Sequence, residues 1–384
     1  MRSKDFLSNE SKFAQPQRKN GSVTWRCSSN IELIKDWSKF EELLPYNPSL
    51  SLTLTNAYTE TKIDYTISDK PSVKYFLDGI YKPEMTQLIT AYINKLIPYF
   101  SYLPVLKLVI HSYNSFPQFS GTIISSSEVG SLALCLCSIE EELTGQKAES
   151  EFFFKKASFI ARLGSGCAAR SIYGGSVLWG SIPEINNSSE LYGIHLEHLP
   201  FLEDLNVATM VVSSSNKPDP PLIRYIKLQF YNLASCRYEH ATMRILRLLD
   251  IIKRKDYLAF CTLVEAEALM LHRMVLSSSV YGIFFHPETL NIISKVRSFR
   301  KKSGIPFCFT IDAAPNIHIL YPNQSREIVI NFIRDTLLPN CESKEWLDDK
   351  VGIGPIKIDK NFNYCNDQIV LQDNFQKPLL SYRH

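Results

Sequence analysis

The sequence predicts a mixed α+β protein, and three observations carry that prediction. Apolar and hydroxyl residues alternate in several stretches of the first half, and apolar residues at helical spacing run between and after them. In addition, 45% of the 384 residues are hydrophobic, enough to bury a large core. The length suits one large or two medium domains.

In SLSLTLT, Ser49 to Thr55, Leu50, Leu52 and Leu54 alternate with hydroxyl residues, and KIDYTI alternates again through Ile63, Tyr65 and Ile67. Both read as strands with one buried face. A helix is expected in EMTQLITAYINKLIPYF and a strand in VLKLVIHS, through Leu106, Leu108 and Ile110. In EVGSLALCLCSIEEELTG, Val129, Leu132, Ala133, Leu136, Ile139 and Leu143 keep helical spacing and stop before Gly145, which reads as a core-facing helix with a glycine stop. LYGIHLEHL and VATMVVS read as strands. NKPDPP, residues 216–221, is the clearest break, and a domain junction is expected near residue 200. Helical stretches follow from Leu222 to Leu276 and through TLNIISKVRSFRKK. The strand pair PFCFTIDAAPNIHILYP should turn around Ala314, Pro315 and Asn316. The organisation expected is a flexible segment 1–20, domains over 21–200 and 201–354, and a polar tail over 355–384.

A net charge of +3 calls for neither nucleic acid nor a membrane surface as partner. The nine cysteines, Cys27, Cys135, Cys137, Cys167, Cys236, Cys261, Cys308, Cys341 and Cys365, are scattered, as in a cytoplasmic protein with reduced thiols. Cys135 and Cys137, two apart on one helix, point in different directions, so no metal site is expected there. The opening MRSKDFLSNESKFAQPQRKNG has no apolar signal core, and later apolar runs are too short or too interrupted to span a bilayer.

The stretch ARLGSGCAARSIYGG, Ala161 to Gly175, reads in two ways. A Gly-Ser-Gly segment entering a helix presents backbone N–H groups to an anion, with Arg170 adding a charged fork; it also serves as a plain packing turn. Asp312 in TIDAAPN is likewise either a reactive carboxylate or an Asx-type turn residue.

Four segments in this order, CSSNIELIKDWSKFEELLPYNPSLSLTL, FPQFSGTIISSSEVGSLAL, ARLGSGCAARSIYGGSVLWG and FCFTIDAAPNIHILYP, resemble the diphosphomevalonate decarboxylases of the GHMP kinase superfamily, from about Gly21 to about Gly354. The resemblance implies the GHMP kinase fold, two α/β domains with the active site in the cleft between them. It implies ATP and Mg²⁺ as cofactors, and small-molecule partners only, leaving room for a homodimer. The reaction it implies phosphorylates the tertiary hydroxyl of (R)-5-diphosphomevalonate, after which loss of phosphate and CO2 gives isopentenyl diphosphate. By the same resemblance Asp312 is the catalytic carboxylate. Lys39, Ser165, Gly166, Cys167 and Arg170 form the diphosphate site with Asp36 beside them, and Ser125, Ser126 and Ser127 meet the nucleotide. No residue is assigned to a metal; Arg162 reads as structural and Asn30 as orienting the early loop.

The chain departs from the family's pattern at several of these positions. KDWSK stands for Lys-Tyr-Trp-Gly-Lys, so Asp36 replaces a tyrosine, and a carboxylate there repels a diphosphate. IISSSE stands for Ala-Ser-Ser-Ala-Ser-Gly, placing Ile124 for a serine and Glu128 for the glycine. Ser125 and Glu128 have the spacing of a capping box, in which the helix satisfies its own first N–H groups. Cys167 replaces a serine with a weaker donor. The alternatives to the decarboxylase are therefore an impaired relative acting as a binding protein, or a GHMP small-molecule kinase with another acceptor.

Overall fold

The computed structural model describes residues 2–8, 19–36, 44–116, 125–212, 234–277, 287–311, 316–341, 344 and 346–358, the backbone alone at 234–237 and 271–277. Strands β1 (Asn20–Ile34) and β2 (Ser49–Ile67) pair antiparallel over most of their length and form the spine of the first sheet. Their burial follows the alternation: Val23, Ile63 and Tyr65 turn inward, while Lys62 and Asp64 stay at the outer face. The chain continues through β3 (Ser72–Leu77), β4 (Ile80–Tyr81), α1 (Pro83–Lys95), β5 (Leu106–Asn114), α2 (Ser126–Thr144), α3 (Ser150–Gly164), β6 (Ser176–Gly180) and β7 (Ser189–His195). Among the described residues the first sheet has eight strands, ordered β12 (Ile356–Lys357)-β1-β2-β5-β3-β4, with β6 on the first residues of β2 and β7 on β6, and only β3 and β5 pair in parallel.

Beyond the short α4 (Pro200–Glu203) come β8 (Leu205–Met210), α5 (Ala234–Lys253), α6 (Tyr257–Ser277), α7 (Pro287–Ser303), β9 (Cys308–Ile311), β10 (Ile317–Pro322), α8 (Arg326–Phe332), β11 (Trp346–Lys350) and β12 (Ile356–Lys357). Here β11, β8, β10 and β9 form an antiparallel four-stranded sheet. One core lies between the first sheet and helices α1 to α3, and another between the second sheet and α7 and α8. Between them an apolar seam joins Leu33, Leu50 and Leu52 of the first sheet to Leu248 of α5, Val264 of α6 and Leu320 of β10. Burying these side chains on both sides fixes the ends of β1 and β2 against the second half, which is what positions the site.

Segments SLSLTLT and KIDYTI, read as two strands, are one. At Ser29 the β1 register jumps, with Ser28 opposite Tyr58 and Asn30 opposite Thr53, so the intervening β2 residues lose their β1 partners while the backbone stays extended. The buried carboxylate of Asp349 on β11 accepts the freed N–H groups of Thr55, Asn56 and Ala57 at 2.8–2.9 Å. The chain then threads back over β2: a side chain on Gly352 would collide with the Leu54 carbonyl, and Gly352 donates its N–H to Thr53 at 2.9 Å. Past Gly354, Ile356 and Lys357 pair with Arg26 and Trp25, so the start of the expected tail is an edge strand of the first sheet.

The expected looseness of residues 1–20 does not hold for Arg2 to Ser8. Ser3–Phe6 form a 3-10 turn, and Phe6, 1% exposed, stacks on Phe159 of α3 at 4.6 Å between ring centroids. The Phe6 ring docks the segment, and Ser8 adds bonds from its N–H to the Pro98 carbonyl at 3.1 Å and from its hydroxyl to Ser101 Oγ at 3.0 Å. The NKPDPP break, residues 222–233, the turn at 312–315 and the tail from 359 lie outside the described residues. Among the described residues, no helix is long and apolar enough to cross a membrane.

Truncating this ring should leave a cavity in the first core. Phe6→Ala is expected to cost about 3 kcal/mol in urea unfolding; an unchanged midpoint would mean that the segment contributes nothing to the fold.

Candidate active site

The site gathers on one face of β1, between the start of α2 and the segment that follows α3. Asn30 and Glu32, two apart in the strand, point the same way. The Asn30 amide donates to Ser126 Oγ on α2 at 3.4 Å, and to the Cys167 carbonyl at 3.3 Å and Ser171 Oγ at 2.8 Å on the other side. These bonds make Asn30 the bridge between the two expected binding segments; most of the early loop it was expected to orient, residues 37–43, lies outside the described residues.

On the α2 side the capping box is formed. Ser125 Oγ accepts the Glu128 N–H at 3.1 Å, and the Glu128 carboxylate accepts the Ser125 N–H at 3.4 Å. Glu128 is 2% exposed and accepts the Tyr75 hydroxyl from β3, so its charge is turned under the helix into the core. Burial pushes its carboxyl up to about 7, against the opposing pull of the Tyr75 and Ser125 hydrogen bonds. The three serines divide in role. Ser127 is buried, its hydroxyl within 3.1 Å of those of Ser29, Thr59 and Ser125, whereas Ser125 and Ser126 stay half-buried. Half-buried hydroxyls at the positive end of a 19-residue helix fit nucleotide phosphates. Ile124 lies outside the described residues.

On the other side, α3 ends at Gly164, Ser165 is its C-cap, and residues Gly166–Ile172 form a seven-residue 3-10 helix. The Gly-Ser-Gly segment therefore does not open an α-helix as expected. It closes one, which sets carbonyl ends beside it, and the Ser165 N–H is taken by the Ala161 carbonyl at 3.0 Å. Arg162 donates to the Leu191 carbonyl at 2.9 Å and serves packing, as read.

Arg170 is 0% exposed. Its guanidinium donates to Ser49 Oγ of β2 at 2.6 Å, pairs with the carboxylate of Glu32, and lies 5.5 Å from the Trp179 ring centroid. Burial works against its charge, but Glu32, Cys167 and Asp36 outweigh that and raise its pKa further. Glu32 is the centre of a small network: the Cys167 thiol donates to its Oε1 at 3.6 Å and the Asp36 N–H to its Oε2 at 3.3 Å. Ligand atoms of Glu32, Asp36 and Cys167 lie within 4.8 Å of one another. Mg²⁺ takes oxygen ligands, often only one or two carboxylates besides phosphate oxygens. Glu32 and Asp36 fit that demand, and the soft Cys167 thiol adds nothing to it.

Two contacts tie this network to the second half of the chain. Thr310 of β9 donates its hydroxyl to the Glu32 carbonyl at 3.0 Å, and β9 ends at Ile311, one residue before Asp312. Glu267 of α6, buried and paired with Arg244 of α5, accepts the Lys35 N–H at 3.0 Å and holds the chain where it enters the Lys39 segment. Asp312 and Lys39 themselves lie outside the described residues. Sequence reasoning missed Glu32, Tyr75 and Glu267. For Glu32 a signal existed: it is the one charged residue in the otherwise apolar run IELI.

Comparison with known proteins places this geometry in a class. Residues 27–189 match the diphosphomevalonate decarboxylase-like N-terminal domain, and residues 229–375 the mevalonate 5-diphosphate decarboxylase C-terminal domain. A diphosphomevalonate decarboxylase of Candida albicans is 27% identical over 324 residues, 79% of this chain and 85% of that one. The mevalonate diphosphate decarboxylase of Staphylococcus aureus superposes with a TM-score of 0.74 at 26% identity, over 88% of this chain and 98% of that one. A structure described as MDDEF in complex with MVAPP, AMPPCP and magnesium gives 0.73 at 25% identity over the same shares. The expected α+β fold of the GHMP kinase superfamily is the one present. The chain belongs to the diphosphomevalonate decarboxylase family.

The Glu128 carboxyl yields a pH test. Its folded pKa is raised above the ordinary carboxylate value, so its favourable contribution is complete below about pH 4.5 and is lost as pH rises through about 7. Glu128→Gln keeps a capping side chain without the charge. It should be more stable than the parent by up to about 3 kcal/mol near pH 8, with the gap closing toward pH 5. A gap in melting temperature that does not vary with pH would show that the carboxyl titrates normally.

Proposed function

We propose that this protein catalyses the ATP-dependent decarboxylation of (R)-5-diphosphomevalonate to isopentenyl diphosphate, with release of ADP, phosphate and CO2, in isoprenoid biosynthesis. The observation that carries the reading is the two-part family match over residues 27–189 and 229–375, on a fold whose β9–β10 hairpin is bonded to the site strand through Thr310. The relatives carry the decarboxylase name, and one of the solved structures holds MVAPP, AMPPCP and magnesium. A cytoplasmic setting suits the free thiols at Cys27, Cys135, Cys137, Cys261, Cys308 and Cys341, all buried.

In this reading Asp312, which follows β9 in the sequence, orients the tertiary hydroxyl of the substrate and holds its proton as the oxygen meets the γ-phosphoryl group. Ser125 and Ser126 present hydroxyls to the nucleotide phosphates, and the dipole of α2 favours negative charge there. Mg²⁺, when bound, draws charge from the phosphate oxygens. Lys39 and Arg170, with Ser165 and Gly166, are the diphosphate partners in this proposal, and Asp36 and Cys167 stand at its edge.

One observation favours a second reading, a catalytically impaired relative acting as a binding protein: Arg170, the cation meant for the diphosphate, is already engaged by Glu32. A single assay separates the readings. The chain with ATP, Mg²⁺ and diphosphomevalonate should release ADP and CO2 in equal amounts, whereas ADP without CO2 marks a kinase and neither product marks a binding protein. Asp312→Asn should lower turnover by about a thousandfold and leave substrate binding nearly intact; an active Asp312→Asn variant removes this mechanism.

A further inference from the structure

We infer that Glu32 sets the affinity of this site for diphosphate by competing with the ligand for Arg170; the inference rests on the diphosphate-site reading given above. The guanidinium has no exposure of its own. One of its terminal amino groups is bonded to Ser49 and the other is paired with Glu32, while its buried Nε has no hydrogen-bond acceptor. A carboxylate and a phosphate engage the same kind of N–H donor, so a diphosphate cannot take the amino group of Arg170 that Glu32 holds.

The rest of the network holds Glu32 in that pose. Cys167 donates to the carboxylate oxygen that faces Arg170, the Asp36 N–H takes the other oxygen, and Thr310 holds the Glu32 carbonyl. The carboxylates of Asp36 and Glu32 approach within 4.8 Å, so two acidic side chains stand against one guanidinium. An incoming diphosphate has to displace Glu32 from Arg170 and then remain beside the carboxylate it displaced. Both steps weaken binding, and both are eased when Glu32 loses its charge. Glu32 is thus a specificity-determining residue that acts on diphosphate through Arg170 and Coulombic repulsion.

The test is calorimetric titration of the full chain with inorganic pyrophosphate. Glu32→Gln, which keeps size and hydrogen-bonding capacity, should tighten pyrophosphate binding by about tenfold. A folded Glu32→Gln with unchanged pyrophosphate affinity overturns the inference. Because Glu32→Gln leaves a buried guanidinium without its counter-ion, it is paired with Glu32→Asp, which keeps the charge and withdraws the carboxylate by one methylene. If Glu32→Gln does not fold, Glu32→Asp decides: a several-fold gain supports the inference, and no gain overturns it. CO2 release from diphosphomevalonate is read separately. Tighter pyrophosphate binding without CO2 in the parent leaves the inference standing and removes the decarboxylase reading; CO2 release with unchanged pyrophosphate affinity does the reverse.

Discussion

A guanidinium that is wholly inside a protein has to find its counter-charge there, and the site of this molecule is arranged around how Arg170 does so. Its partners come from three parts of the first sheet: Glu32 on β1, Ser49 on β2 and the Trp179 ring on β6, while Arg170 itself belongs to the 3-10 segment after α3. Moving any of these elements would expose or strip a buried charge, a change that costs several kcal/mol. The pair therefore locks the 3-10 segment onto the sheet, and Cys167 and Asp36 take their positions from Glu32.

The same economy governs the start of α2. A helix of this length offers unsatisfied N–H groups and a positive end, which suit an anion. Here the Ser125–Glu128 box meets part of that demand internally, and Tyr75 fixes the carboxylate on the core side. What remains toward the site is a pair of half-buried hydroxyls, Ser125 and Ser126, with Asn30 connecting them to Cys167 and Ser171. Both proposed anion sites are thus built with an acidic side chain already in place, one turned inward into the core, the other held on the cation itself.

Local features were legible in the sequence because local physics decides them. The period of α2, its Ser125 and Glu128 cap and its Gly145 stop, with φ of 69°, follow from spacing and residue type. The alternation of β2 and β5 gave those strands, whereas β1 went unread, and the continuous run of β2 was hidden where Asp349, almost three hundred residues on, takes over the backbone donors that β1 leaves. The site was legible only as residue types. That Arg170 meets Glu32, 138 positions away, or that Lys35 is held by Glu267, 232 positions away, is set by how the sheets and α6 pack, and no local pattern announces it. Phe6 was missed for a related reason: a single aromatic in a polar segment carries no periodicity, yet it found a ring to stack on.

The central claim is that Arg170 and Glu32 neutralise one another inside the fold. A double-mutant cycle on stability, with Glu32→Ala, Arg170→Ala and the combined variant unfolded in urea, measures this directly. The account predicts strong coupling, about 3 kcal/mol, with the double variant less damaged than the sum of the single ones. Coupling within about 0.5 kcal/mol of zero would contradict it, because the two side chains would then be making their peace with the interior separately.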